Sequence, residues 1–218
     1  MLGRRKAKIR RATGALQEFY SVPRPGASTS IKDLKLLAVD VETTGLKPHR
    51  HQIVSIGWVP INGDVIDLSG AGYVVIRGSE GFSVGSSAVI HQLTDDEIAA
   101  GIDIKDALGQ LLQALQGRAM LAHFSPIERD FISAACLKHF GTLLDVPLVD
   151  TFAMERRHME RMSTYPRGED LRLARIRQRY GLPNYSNHQA LTDALACAEV
   201  YLVQITHLRA NTLKDIWE

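Results

Sequence analysis

Hydrophobic and polar positions change their period along this chain. Residues 34–42 read LKLLAVDVE, aliphatic first and then alternating, and the run stops at Thr44-Gly45. This pattern predicts a buried strand that ends in a turn. QIVSIGWVPI, residues 52–61, predicts a second strand, and Asn62-Gly63-Asp64 supplies the turn of a hairpin. A third strand is expected from about Gly72 to Arg77, completing an antiparallel meander. The period then becomes helical: Ile104, Ala107, Leu108, Leu111, Leu112 and Leu115 share one face. RAMLAHF, residues 118–124, is a short apolar strand, and Ser125-Pro126 opens a helix to about His139. Pro147 to Asp150 is a fifth strand. Helices follow from Thr151 to about Met162, Leu171 to about Tyr180 and Gln189 to about Arg209. The order β-β-β-α-β-α-β-α-α-α predicts an α/β protein with a mixed five-stranded sheet flanked by helices.

Composition narrows the class. Of 218 residues, 45% are apolar and 23% charged, the balance of a globular chain rather than a disordered one. No apolar run approaches the length of a membrane span, so no membrane association is expected. Cys136 and Cys197, both in helical stretches, read as buried reduced thiols, and a reducing, cytoplasmic setting is expected. Residues 21–32, SVPRPGASTSIK, read as a linker. Residues 1–33 are therefore expected to form a basic arm and linker, and residues 34–218 the domain. Residues 12–20, ATGALQEFY, are too polar to follow a basic start as a secretory signal would; a poorly ordered N-terminus or a short helix leading into the domain is expected ahead of a mitochondrial presequence.

Charge is unevenly spread. The net charge of +2 hides six basic residues and no acid in residues 1–11. Residues 155–179 hold eight arginines against four acids, which suits either a phosphate backbone or a solvated helix face.

Three acidic groups carry candidate chemistry. Asp40 and Glu42 are two apart on a strand and so share a face. Two carboxylates at the end of a buried strand repel and lose hydration. A hard divalent cation resolves that cost, as does a loop-edge position with bonds to Thr43 or Thr44. His188 and Asp193 bracket the start of the last long helix, where Ala190, Ala194 and Ala198 form a small-residue stripe that permits close approach. Near water, a neutral imidazole is a general base; at a helix start, it is equally a capping group. Ser125-Pro126-Ile127-Glu128 fits a capping box, with Glu128 nearer the buried stripe than Asp130.

Asp40-x-Glu42-Thr43-Thr44-Gly45, then His123 to Phe131, then His188-x-Ala190-x-x-Asp193-Ala194 resemble the DEDDh exonucleases, a family that includes the proofreading epsilon subunit of bacterial DNA polymerase III. Glu128 lies 88 residues after Asp40, and His188 60 residues after Glu128, in the family's order. The resemblance covers roughly residues 34–208. It implies a ribonuclease-H-like fold, two Mg²⁺ or Mn²⁺ ions, and stepwise release of nucleoside 5′-monophosphates from a 3′ end, with single-stranded DNA favoured. By motif, Asp40 would bridge both ions, Glu42 and Asp193 would hold the ion that activates water, and His188 would accept the water's proton. Glu128 would serve the second ion. Thr43, Leu46 and His91 resemble positions that touch the last nucleotide. The sequence departs from the family's H-N-A-x-F-D at His123-Phe124-Ser125-Pro126-Ile127-Glu128, where glutamate stands for aspartate; a subgroup of epsilon-like exonucleases shares that change.

Two other readings fit parts of the chain. One keeps the chemistry with RNA as substrate. The other is a non-catalytic module that binds nucleic acid or a DNA polymerase. His49-Arg50-His51 reads as a solvated loop, Asp150-Thr151 as a strand-to-helix cap, and Tyr165 and Tyr185 as loop aromatics able to stack on bases.

Overall fold

A computed structural model of the protein describes residues 9–78, 93–185 and 189–217. Helix α1 (Gly14–Ser21) precedes strands β1 (Lys35–Thr43), β2 (Ile53–Asn62), β3 (Val65–Ile66) and β4 (Gly72–Val75). Helices α2 (Asp95–Ala99) and α3 (Ile104–Leu115) lead to β5 (Ala119–Ala122), α4 (Pro126–Phe140) and β6 (Leu148–Asp150). Helices α5 (Thr151–Arg161), α6 (Leu173–Arg179), α7 (Ala190–Leu208) and α8 (Leu213–Ile216) complete the described chain.

The sheet runs β3-β2-β1-β5-β6, with β4 also on β2. β1 and β2 pair antiparallel, while β1–β5 and β5–β6 pair parallel. Central strands covered on both faces need continuous aliphatic runs, and β1 and β5 supply them. Among the described residues the sheet has six strands rather than the five expected. After the turn at Gly63 (φ 65°), only Val65 and Ile66 pair with the end of β2. Asp67 then accepts from the Ser69 amide at 3.1 Å, closing a short 3-10 turn that lifts the chain off the sheet. The chain returns at β4 to pair with Ser55–Trp58. The ten-residue β2 is long enough to hold both short partners.

Two cores flank the sheet. Leu37, Val39 and Val41 pack with α1, α3 and α4; Leu36, Ala38, Val59 and Ile61 pack with α7 and α8. The stretch expected to be arm and linker contributes to the first core: Leu16, Phe19 and Tyr20 of α1 are buried in it. Tyr20 also donates to the Leu143 carbonyl at 3.0 Å and accepts from the Asp145 amide at 2.9 Å. Each such buried apolar side chain contributes roughly 1.5–3 kcal/mol. Both cysteines are free and buried, as expected.

Candidate active site

The alternation of β1 sets the first two acids. Leu36 and Ala38 face α7, and Asp40 and Glu42 continue the same row past the apolar contact. Pairing with β5 ends at Ala38–Leu121, so the sheet opens where the carboxylates stand.

Asp193 arrives on the first turn of α7, and a glycine makes that approach possible. Gly57 lies opposite Asp40 in the β1–β2 register. A Cβ there would sit 2.2 Å from the Leu191 amide nitrogen and 2.3 Å from the Ala190 carbonyl carbon. The backbone of α7 therefore rests directly on the β2 backbone, with Ala190, Ala194 and Ala198 fully buried beneath it. Carboxylate oxygens of Asp40, Glu42 and Asp193 come within 4.8 Å of one another. The small-residue stripe was legible in the sequence; its receptor, Gly57, was overlooked. The signal was a glycine inside a strand, which marks close backbone approach.

Glu128 closes the group from the start of α4. It is 3% exposed, its carboxylate accepts from the Val41 backbone, and its Oε2 has no hydrogen-bond partner. Burial, then repulsion from Asp150 and Glu42, pushes its carboxyl up to about 8. Asp40 is also held well above the usual carboxylate range, first by burial and then by Glu128, Asp193 and Glu42. Asp130 is exposed and bonded to Arg129 at 2.8 Å, so Glu128 is the acid the fold turns inward.

The expected capping box is absent. Ser125 has helical dihedrals (φ −46°, ψ −22°) and makes no side-chain cap. Its amide and that of Phe124 instead donate to Asp150, at 3.0 Å each. Asp150 also accepts from the Phe152 and Ala153 amides, so the cap expected at the start of α5 is present. One buried carboxylate thus fixes both the start of α5 and the turn that presents Glu128. Its second duty has no sequence signal, because the donors lie 25 and 26 residues away.

His123 is half-buried behind this turn, between the Thr151 hydroxyl at 2.8 Å and the Leu171 carbonyl at 3.0 Å. Burial lowers its pKa to about 4, which keeps it neutral and structural. Thr43 donates to the Gly45 carbonyl at 2.9 Å, and Leu46 is 75% exposed beside it. His51 accepts from the Lys47 amide and braces the same loop. His188 and His91 lie outside the described residues. Tyr185 is occupied: its hydroxyl donates to Glu199 at 2.9 Å and its ring lies under Arg177, 4.3 Å from the guanidinium. Arg177 is itself buried, donating to Pro183, Ala196 and Glu199, so part of the arginine-rich stretch serves the fold.

The donor set suits a divalent ion. The clustered carboxylate oxygens of Asp40, Glu42 and Asp193 are hard ligands, and the partnerless buried Oε2 belongs to the neighbouring Glu128. The exonuclease model of the RNase T type matches residues 37–201, a span that holds all four acids. The chain belongs to this exonuclease family. It is 27% identical over 175 residues to the PolC-type DNA polymerase III of Thermotoga petrophila, covering 80% of this chain and 12% of that protein. It is 25% identical over 172 residues to the DNA polymerase III subunit epsilon of Treponema pallidum, covering 78% of this chain and 76% of the relative. The chain thus spans only a small part of the PolC-type relatives it matches. In fold it is similar to the nuclease domain of 3′hExo, a DEDDh family member solved with rAMP, at TM-score 0.67 and 14% identity over 79% of this chain and 92% of that one. The fold is that of the ribonuclease-H-like exonucleases, and in sequence the chain is similar to the epsilon subunit of DNA polymerase III and to PolC-type polymerases. Among the described residues, no helix is long and apolar enough to cross a membrane.

Proposed function

We propose that this exonuclease removes nucleoside 5′-monophosphates from the 3′ end of single-stranded DNA with the help of two divalent ions, Mg²⁺ or Mn²⁺. The observation that supports it best is the meeting of Asp40, Glu42 and Asp193 oxygens within 4.8 Å, beside a buried Glu128 oxygen with no partner. Asp40, whose carboxylate feels the charges of Glu128, Asp193 and Glu42, would be shared between the ions. Glu42 and Asp193 would hold one ion and Glu128 the other. Bound there, the ions supply the positive charge that draws a phosphodiester into an acidic site and makes a nearby water more acidic.

The chain's own groups would do the rest. His188, two residues before α7, would take the proton of the attacking water. The exposed Leu46 and the braced Thr43 loop would bear on the last nucleotide, and His91 would be a further contact. A DNA polymerase is the proposed partner, since the relatives are polymerase subunits and PolC-type polymerases.

The decisive experiment incubates 5′-labelled single-stranded DNA and the matching RNA with protein plus Mg²⁺, Mn²⁺ or chelator. A ladder shortening from the 3′ end, with metal only and faster on DNA, is the expected result. Faster loss of RNA would replace the substrate. No loss of either strand by folded protein would leave a binding module.

A further inference from the structure

Phe124 stands where the structure gives an aromatic ring little reason to be. It lies two residues past the end of β5 and precedes Glu128 by four residues. Because β5 runs parallel to β1, Phe124 leaves the sheet at the same edge as Asp40 and Glu42. Its φ is 65°, a left-handed conformation that brings a bulky side chain against its own backbone. The Asp150 carboxylate holds it there by taking its amide at 3.0 Å. A turn alone would be made at less cost by glycine or asparagine. Burial does not offset the strain, since the residue stays 45% exposed. The ring is nonetheless supported: it meets Phe152 edge-on, with centroids 5.2 Å apart at 67°. Arg156 in turn sits over the Phe152 ring, its Cζ 5.0 Å from the centroid.

A strained backbone beside a reactive site, presenting a wet aromatic on a rigid aromatic support, is the physical profile of a stacking surface. We propose that Phe124, backed by Phe152 and Arg156, is a platform on which a nucleobase of the bound strand stacks. The inference rests on the exonuclease reading of the neighbouring acids and assigns that site a base contact. Stacking reads the π-face that every base has, so the platform serves any sequence. Arg156 adds positive charge on the same side, suited to the strand's phosphates.

The test compares wild type with Phe124→Gly and Phe124→Trp on single-stranded oligonucleotides carrying 2-aminopurine near the 3′ end. Binding is read with Ca²⁺ in place of Mg²⁺, and turnover with Mg²⁺. Wild type is expected to quench the 2-aminopurine. Phe124→Gly should lose the quench and raise both Kd and KM about tenfold. Its kcat and Mn²⁺-induced rise in Tm should stay unchanged, and its Tm should be no lower than wild type because the strain is gone. Phe124→Trp should restore binding.

If Phe124→Gly lowers the Tm by several degrees and leaves KM within twofold, the residue is a packing element and the proposal is overturned. Wild type that binds and quenches yet cleaves nothing supports the platform while refuting the exonuclease reading. Wild type that binds no oligonucleotide overturns the platform outright.

Discussion

Glu128 and Glu155 are equally buried, at 3% and 1% exposure, and the fold treats them in opposite ways. Glu155 is surrounded by donors. Arg179 reaches one oxygen at 2.6 Å; the Tyr180 hydroxyl and the Gln204 amide reach the other at 2.8 and 3.0 Å. These partners come from α6, the end of α6 and α7, so the carboxylate ties three helices together. Glu128 faces other carboxylates, and one of its oxygens has no partner. A buried charge met by cations and hydroxyls is structure. A buried carboxyl met by like charges keeps its proton unless a counter-charge from outside the chain takes the proton's place.

Four substitutions would break or sharpen this contrast. The largest effect is expected from Asp40→Ala. It should abolish hydrolysis, since it removes the carboxylate proposed to be shared between the two ions. Its Tm in chelator should be no lower than wild type, because repulsion is relieved. Activity above about a tenth of wild type, in a standard 3′-end assay, would refute the central role given to Asp40.

Gly57→Ala comes next. The added methyl would lie 2.2 Å from the α7 backbone, which must move and take Asp193 with it. A loss of about 3 kcal/mol or more is expected in urea unfolding, with loss of the Mn²⁺-induced Tm rise. An intact metal response would show that α7 positions Asp193 by other contacts.

Glu155→Ala tests the compensated site. Taking one acceptor from each of Tyr180, Gln204 and Arg179 should cost about 2–4 kcal/mol; Gln204 keeps the Thr151 carbonyl, and Arg179 keeps the Asp170 carbonyl and reaches solvent, which limits the loss. Here the metal response should survive unchanged.

The smallest effect is a change of slope with pH. Burial and the neighbouring carboxylates push the Glu128 carboxyl up to about 8 from an ordinary value of 4.5. Between those values the folded state binds more protons than the unfolded one, so the chelated protein should lose stability as pH rises from 5 to 8. Glu128→Gln should flatten that fall, and added Mn²⁺ should oppose it in the wild type only. A wild-type Tm that rises across this range in chelator would contradict the repulsion assigned to Glu128.

Much of this molecule could be read from its residues in order. Strand β1 and helices α3, α4 and α7 follow from period, because a strand or helix must keep one face apolar to be buried at all. Asp40 and Glu42 were legible for the same reason: charges at the end of such a run contradict the pattern that makes the strand. The motif order then pointed to the family, and Glu128 stood out from Asp130 by its place near the buried stripe. The short turn-strand-turn after β2 was not legible, since a two-residue strand has no period.

What tertiary structure decided was who supplies each partner. Local spacing suggested a capping box for Ser125, yet Asp150 takes the amides of Phe124 and Ser125 from 25 and 26 residues away. Arg177 and Tyr185 looked like candidates for phosphate and base, and the fold spends both on Glu199. Asp193 reaches Asp40 because Gly57, on a strand between them in sequence, offers no side chain. Periodicity reports which way a residue faces. It carries no record of what waits on that side, because hydrogen bonds and repulsions depend on distance in space, and the chain sets that distance only by closing on itself.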